Sequence, residues 1–321
     1  MTMRVRFWGT RGSIPVALTS ADIRHKIEQA LALAIARSVD SPDKLQNFIQ
    51  HDLGFSISHT YGGHSPCVEF ETGRAEYLVC DMGSGARALG NRIISQGNGG
   101  PPPVINVIMS HVHWDHIMGF PFFAPAYVPG VRIRIHGCHD VLEQAFRLQQ
   151  SPPCFPVDYS RLAADIEFVQ LKAGTSYEIA GFRVTPKLQR HTGDSYGYRF
   201  ERDGKIVVYS TDSEHKLEDP RETRNFVEFF RNADLAIFDA MYSLLDTVSV
   251  KEDWGHSSNI VGVEMAQMAN VRHLCMFHHE PSFDDDRIES VLKETIRFEK
   301  LTRTQQPLKI TAAFDGMEIE L

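Results

Sequence analysis

Val104-Ile105-Asn106-Val107-Ile108-Met109-Ser110-His111-Val112-His113-Trp114-Asp115-His116 is the stretch from which the rest of the chain can be read. Its apolar first half has the composition of a buried strand. Directly after Ser110 it delivers three histidines and a carboxylate within six residues, in the pattern H-x-H-x-D-H. Imidazole and carboxylate at that density suit a borderline cation, zinc first, with iron or manganese as alternatives. Histidine makes up only 15 of 321 residues, so an incidental polar loop explains the pattern poorly.

Other apolar runs end in the same way. His191 follows a strand-like segment at 182–188, Asp212 closes Ile206-Val207-Val208-Tyr209-Ser210-Thr211-Asp212, and His278 follows 273–277. Taken singly, each residue is as well explained by a turn or a surface position. Taken together they are more specific, because loops at the carboxyl ends of strands converge on one edge of a sheet. A two-metal site needs about this inventory: several imidazoles, a terminal carboxylate and a bridging one. His278 is preferred to His279 because it comes first after its strand. Asp81, after the strand at 76–80, is placed either to hydrogen-bond a ligating histidine or simply to form a turn.

Strands and helices alternate along the whole chain, which predicts an α/β protein. Helices are expected at 86–96, 139–150, 221–231, from Ser257 or Ser258 to about 270, and at 284–299. Residues 19–53 read as a helical insertion. Ile23, Ile27, Leu31, Ala34 and Ile35 mark one face, and Leu45, Phe48, Ile49 and Leu53 mark a second short helix. A packed hairpin covering core is the expectation there, with a lid or dimer surface as the sharper alternative. Phe120, Phe122, Phe123 and Tyr127 form an aromatic patch, expected in the core, with a substrate wall as its alternative. The glycine- and proline-rich run 97–103 reads as a surface connection.

A chain of 321 residues with 42% hydrophobic residues and 20 Phe has ample core for one domain with an insertion. The formal net charge of −8, without a block of Lys or Arg, argues against tight nonspecific nucleic-acid binding. Five cysteines without C-x-x-C spacing predict free thiols rather than a disulfide framework or a thiolate zinc site. The amino terminus reads as a strand, with no signal peptide, and no apolar run has the length of a membrane span. A cytoplasmic protein is the expectation.

The order H-x-H-x-D-H, then His191, Asp212 and His278, resembles the metallo-β-lactamase fold superfamily over nearly the whole chain outside 19–53. The resemblance implies a four-layer αββα sandwich forming a single metallo-hydrolase domain over 1–321. It also implies two divalent metal ions, Zn2+ or else Mn2+ or Fe2+, bridged by a hydroxide. One ion would take His111, His113, His191 and Asp212; the other would take Asp115, His116, Asp212 and His278. His113 stands where oxygen-reducing diiron members show Glu, which favours hydrolysis.

Within the superfamily, three stretches are closest to the branch of ribonuclease Z and the phosphoribosyl cyclic phosphodiesterases. They are Gly9-Thr10-Arg11-Gly12-Ser13, the additional His256 ahead of a late helix, and Phe277-His278-His279-Glu280-Pro281. That likeness implies a phosphodiesterase acting on small or cyclic phosphodiesters. His256 would contact the phosphate and stabilise or protonate the leaving oxygen, and Asp115 would orient the nucleophile. Thr10, Arg11, Ser13 and His64 are candidate substrate contacts; His64 departs from the Asn usual in the related turn. The long tRNA-gripping arm of ribonuclease Z has no room in the roughly twenty residues between His191 and Asp212. A thioester or lactone hydrolase, a tRNA-processing ribonuclease and a metal-binding scaffold without turnover are the rivals. The expected partner is a small phosphodiester rather than nucleic acid or a membrane, with a homodimer as a further expectation.

Overall fold

Period-two alternation with apolar residues on both faces builds two sheets that must be covered on each side. The structure, a computed structural model, describes residues 3–96, 103–242 and 255–321. The first sheet contains β1 (Arg4–Gly9), β2 (Cys67–Phe70), β3 (Glu76–Cys80), β4 (Val104–Ile108), β5 (Arg132–Gly137) and β6 (Asp165–Gln170). The second contains β7 (Tyr177–Ile179), β8 (Phe182–Gln189), β9 (Ser195–Arg202), β10 (Lys205–Ser210), β11 (Leu235–Asp239), β12 (His273–Phe277) and β13 (Lys309–Ala312). A last strand, β14 (Glu318–Glu320), returns to the first sheet beside β1, giving orders β14-β1-β2-β3-β4-β5-β6 and β13-β12-β11-β10-β9-β8-β7. Apolar alternation does not mark β13 and β14 over enough residues to predict them from the sequence. Each is short and largely polar, and pairing with β12 and β1 rather than composition makes them strands.

The strand faces sort into three cores. Leu78, Cys80, Val207, Tyr209, Leu235, Ile237, Cys275 and Phe277 point between the sheets. Their neighbours Val208, Ala236, Phe238, Leu274 and Met276 turn outward under the helices Pro220–Phe230, Asn259–Met268 and Asp285–Thr302. On the other side Val79, Ile105, Val107, Ile133 and Ile135 pack with the helices Ala86–Gln96 and Leu142–Gln149. The result is helix, sheet, sheet, helix. Strands β3 to β6 run parallel, as do β10 to β13, so the ends of β3, β4, β10, β11 and β12 can meet at one rim.

The insertion departs from the expected packed hairpin. Its long helix, Ser20–Ala36, buries none of its side chains, and Ile27 and Ile35 are 54% and 80% exposed. Polar contacts hold it instead: Lys26 Nζ reaches Asp285 Oδ2 at 2.6 Å and donates to the carbonyls of Ser56 and His59. Apolar spacing here specified the helix, but the face it marks has no partner within the described chain. Phe48 alone of the second apolar set is buried. Among the described residues no helix is long and apolar enough to cross a membrane. Residues 97–102 of the expected surface connection lie outside the described residues.

Candidate metal centre

Each strand that ends at the rim hands over one or more donors. β4 stops at Ile108, and His111 and His113 follow in extended chain before a single helical turn, Trp114–Ile117, turns Asp115 and His116 inward. After β8 comes His191, after β10 Asp212, and after β12 His278. Asp212 (φ 47°) and His278 (φ 60°) both adopt the left-handed conformation, as does Asp81 (φ 60°) after β3. Non-glycine residues rarely do so, and such strain collects at functional sites. Here it turns the chain sharply enough to aim the side chain back across the rim.

Asp212 lies at the middle of the cluster. Its Oδ1 is 3.7 Å from both His111 Nε2 and His191 Nε2, and its Oδ2 is 3.1 Å from His116 Nε2 and 3.3 Å from His278 Nε2. Asp115 Oδ2 is 3.3 Å from His116 Nε2 and 3.4 Å from His278 Nε2. His113 Nδ1 meets His191 Nε2 at 3.1 Å. The sets His111, His113, His191 and Asp115, His116, His278 each bring their ligand atoms within 4.8 Å of one another.

The buried donors are left unsatisfied by protein. Nε2 of His111 and of His116 and both ring nitrogens of His278 have no hydrogen-bond partner. Orphaned buried nitrogens are costly, and these converge on carboxylates. Burial drives His111 well below the ordinary histidine range. Burial also opposes charge on His116, but Asp115, Asp212 and Asp81 outweigh it and hold that ring well above the range. Burial alone would raise Asp212; His278, His116 and His111 pull it well below instead. A negatively charged pocket of aligned imidazole nitrogens fits a divalent cation, which satisfies the lone pairs and the carboxylates together.

A second layer holds the donors in place. Asp81 Oδ2 lies 2.9 Å from His116 Nδ1 and accepts from Tyr209 Oη and Ser110 Oγ, while its Oδ1 accepts from the Ser110 amide. Both anticipated roles are present: Asp81 contacts His116, and its left-handed backbone turns the chain. His191 Nδ1 donates to the Gly255 carbonyl at 2.9 Å. Gly255 has φ +82°, and a Cβ there would stand 2.4 Å from His191 Nδ1. Glycine is required at that position by both conformation and space.

His256 sits against this cluster. Its ring centroid is 5.2 Å from His191 and 5.1 Å from His278, and Asp239 Oδ2 accepts from its Nδ1 at 2.7 Å. Burial would lower the His256 pKa, but Asp239 reverses this and lifts it to about 9. Asp239 was not singled out from sequence. Its signal was the one that selected Asp212, a carboxylate at the end of an all-apolar strand.

His279 points away from the cluster: its Nε2 donates to the Ala313 carbonyl, and burial pushes it down to about 3. The four candidate substrate contacts hold the walls of the site. Arg11 is buried, donating through Nε to the Gly62 carbonyl and through Nη1 to those of Glu280 and Phe283. Nε and Nη1 of its guanidinium are thus engaged with main chain. Thr10 Oγ1 is buried on Tyr61 and Asp315. The Ser13 amide donates to Asp115 Oδ2 at 2.9 Å, orienting that carboxylate. His64 shapes the turn, its carbonyl accepting from the amides of Thr10 and Arg11 and its Nδ1 lying 3.1 Å from Ser84 Oγ. Trp254, next to Gly255, lies outside the described residues.

Residues 78–279 match the family described as the beta-lactamase superfamily domain. The ribonuclease Z of Oceanobacillus iheyensis is 20% identical over 60% of this chain and 77% of its own length. The metallo-beta-lactamase fold protein YhfI from Bacillus subtilis shares the fold over the whole of both chains, with TM-score 0.64 and 17% identity. A diphosphatase from the PhnP family aligns over 99% of this chain and 98% of its own, with TM-score 0.60 and 18% identity.

Proposed function

From the premise that the chain belongs to the beta-lactamase superfamily, on its ribonuclease Z-like branch, we propose that it is a metal-dependent phosphodiesterase acting on small or cyclic phosphodiesters. The observation that carries this reading is the His256–Asp239 pair set against His191 and His278. His111, His113, His191 and Asp212 would hold one divalent cation, and Asp115, His116, Asp212 and His278 a second. Bound there, such cations supply Lewis acidity and lower the pKa of water.

The residues then divide the remaining work. Water gives up a proton to solvent and attacks phosphorus, a new P–O bond forms, and the bond to one ester oxygen breaks. Asp239 holds the proton on His256 Nδ1, which leaves Nε2 as the atom that gives a proton to the departing oxygen. Asp115, itself fixed by the Ser13 amide, orients the attacking water. A thioester or lactone leaves a far more stable or tethered oxygen or sulfur and has less need of the His256–Asp239 pair.

The ribonuclease Z relatives favour a second reading, RNA cleavage. Against it, the stretch between His191 and Asp212 is taken up by β9 and β10, which join through Asp203-Gly204, so no arm is carried there. The test is a panel of bis(p-nitrophenyl) phosphate, cyclic phosphodiesters, thioesters and a tRNA precursor, with metal-replete protein. Turnover of the diesters is expected, and His256→Ala should lose about two to four orders of magnitude while keeping metal. Parental rates in that variant, or hydrolysis of thioesters alone, would refute the proposal.

A further inference from the structure

β8 leads to His191 and β10 to Asp212, yet the two strands are not neighbours, because β9 lies between them in the sheet. Two strand spacings put them roughly 9–10 Å apart. One side chain crosses that gap. Gln189, the last residue of β8, is 3% exposed; its Nε2 donates to the Thr211 carbonyl at 2.8 Å and to Ser195 Oγ at 3.2 Å. Its Oε1 accepts from Ser210 Oγ at the end of β10, and Ser195 Oγ donates to the same Thr211 carbonyl at 3.3 Å. The amide lies against Gly197 of β9, where a Cβ would stand 2.4 Å from Gln189 Oε1. The missing side chain at Gly197 is the slot through which the amide reaches.

Both hydrogens and the oxygen of this amide are matched in a buried setting, where a half-bonded amide would be costly. The sheet needs no such side chain for its own pairing. What the amide grips is the peptide ahead of Asp212. That residue takes φ 47°, and Thr211 Oγ1 donates to its Oδ2 at 2.7 Å. Because the peptide unit is planar, fixing the Thr211 carbonyl fixes the plane from which Asp212 departs, and with it the direction of the carboxylate. A second tie lies beside the first: the Glu214 amide donates to the Arg190 carbonyl at 2.9 Å. The segments carrying His191 and Asp212 are therefore joined twice, Gln189 to Thr211 and Arg190 to Glu214.

Resting on the two-cation assignment of the proposed function, we propose that Gln189 is a positioning residue: its amide, reaching across β9 to the Thr211 carbonyl, sets the spacing of His191 and Asp212 that a divalent cation meets. It acts through the backbone and touches neither cation nor substrate. His191 Nε2 and Asp212 Oδ1 stand 3.7 Å apart. Movement of either strand end would change that spacing, and ligand geometry governs both the affinity of a site and its choice among divalent metals.

Cobalt(II) tests this, because its visible absorption reports the number and geometry of its ligands. Gln189→Met keeps the length of the side chain and removes its hydrogen bonds. Gly197→Ala, on another strand, fills the slot and displaces the amide while leaving its partners unaltered. Each variant should bind at least one of two cobalt ions about ten-fold more weakly than the parent, the low end of the usual cost of lost support behind a ligand, and should change the absorption band. Melting of the metal-free protein should fall by only a few degrees, because the Thr211 carbonyl keeps Ser195 Oγ. Cobalt affinity and absorption equal to the parent in both variants, whatever the melting temperature, would overturn the positioning role. A parent that takes up fewer than two cobalt ions would overturn the two-cation assignment instead, and neither result depends on turnover of a phosphodiester.

Discussion

Replacing Asp81 with asparagine tests whether the centre is held from behind. In the native arrangement both carboxylate oxygens only accept. Oδ1 takes the Ser110 amide at 2.8 Å, and Oδ2 takes Ser110 Oγ at 2.8 Å, Tyr209 Oη at 2.7 Å and His116 Nδ1 at 2.9 Å. An asparagine has one acceptor and one amino group, so either orientation sets N–H against a donor. If the amide oxygen serves the three donors at Oδ2, the amino group faces the Ser110 N–H, which cannot rotate away. If it is flipped, the amino group faces the His116 N–H, and the ring loses the partner that fixes its tautomer. One buried donor left unsatisfied costs about 1–3 kcal/mol, and loss of the carboxylate behind a ligating histidine typically costs 10–100-fold in metal affinity. Asp81→Asn should therefore melt several degrees lower and release zinc to a chelator at about 10–100-fold lower competitor concentration. The assay is chelator competition followed by thermal melting of the loaded and stripped forms. Zinc affinity within about two-fold of the parent would refute the supporting role, since the tautomer argument predicts at least a ten-fold change.

Asp212 touches four imidazoles, so Asp212→Ala should abolish both activity and stoichiometric metal, read by metal analysis after dialysis. Asp239→Asn should lower turnover by at least about ten-fold with metal retained, yet add little in a His256→Ala background, because the two act as one unit; additive losses would separate them. Gly255→Ala forces φ +82° on a residue with a Cβ and drives that Cβ to 2.4 Å from His191. It should cost about 1–3 kcal/mol and weaken metal binding, measured by denaturation and zinc titration. Burial holds His136 and His273 at about 4 and His215 at about 3. Folded values below the unfolded one of about 6.5 mean that the unfolded chain binds more protons as the pH falls. The stabilisation is complete above about pH 6.5 and is lost progressively towards pH 4 and 3, so the melting temperature should fall steadily over that window.

Much of the fold and the centre is legible in the sequence, for a local reason. Apolar alternation marks β3, β4, β10, β11 and β12, and the donors stand directly after those strands, so position along the chain already implies position at the rim. His111, His113, Asp115, His116, His191, Asp212 and His278 do come together there. The order of donors also carried the family resemblance, which the match over 78–279 supports independently. β13 and β14 were illegible because their identity comes from the partner strand.

Tertiary structure decided what depends on direction. Arg11 has the chemistry of a phosphate contact, and the fold commits its Nε and Nη1 to three main-chain carbonyls. In sequence His278 is preferred to His279 only for coming first after its strand; the left-handed turn at His278 sends its ring into the centre, while the His279 ring meets the Ala313 carbonyl. The spacing of Ile23, Ile27, Leu31 and Ile35 predicts a helix but not whether another surface covers it. The residues after β4 show both sides of this. Their types and spacing announced a metal, because coordination chemistry is written in side-chain identity. That Val112, Trp114 and Ile117 leave the centre to line a groove is a matter of backbone path, which is set by contacts with segments far away in the chain.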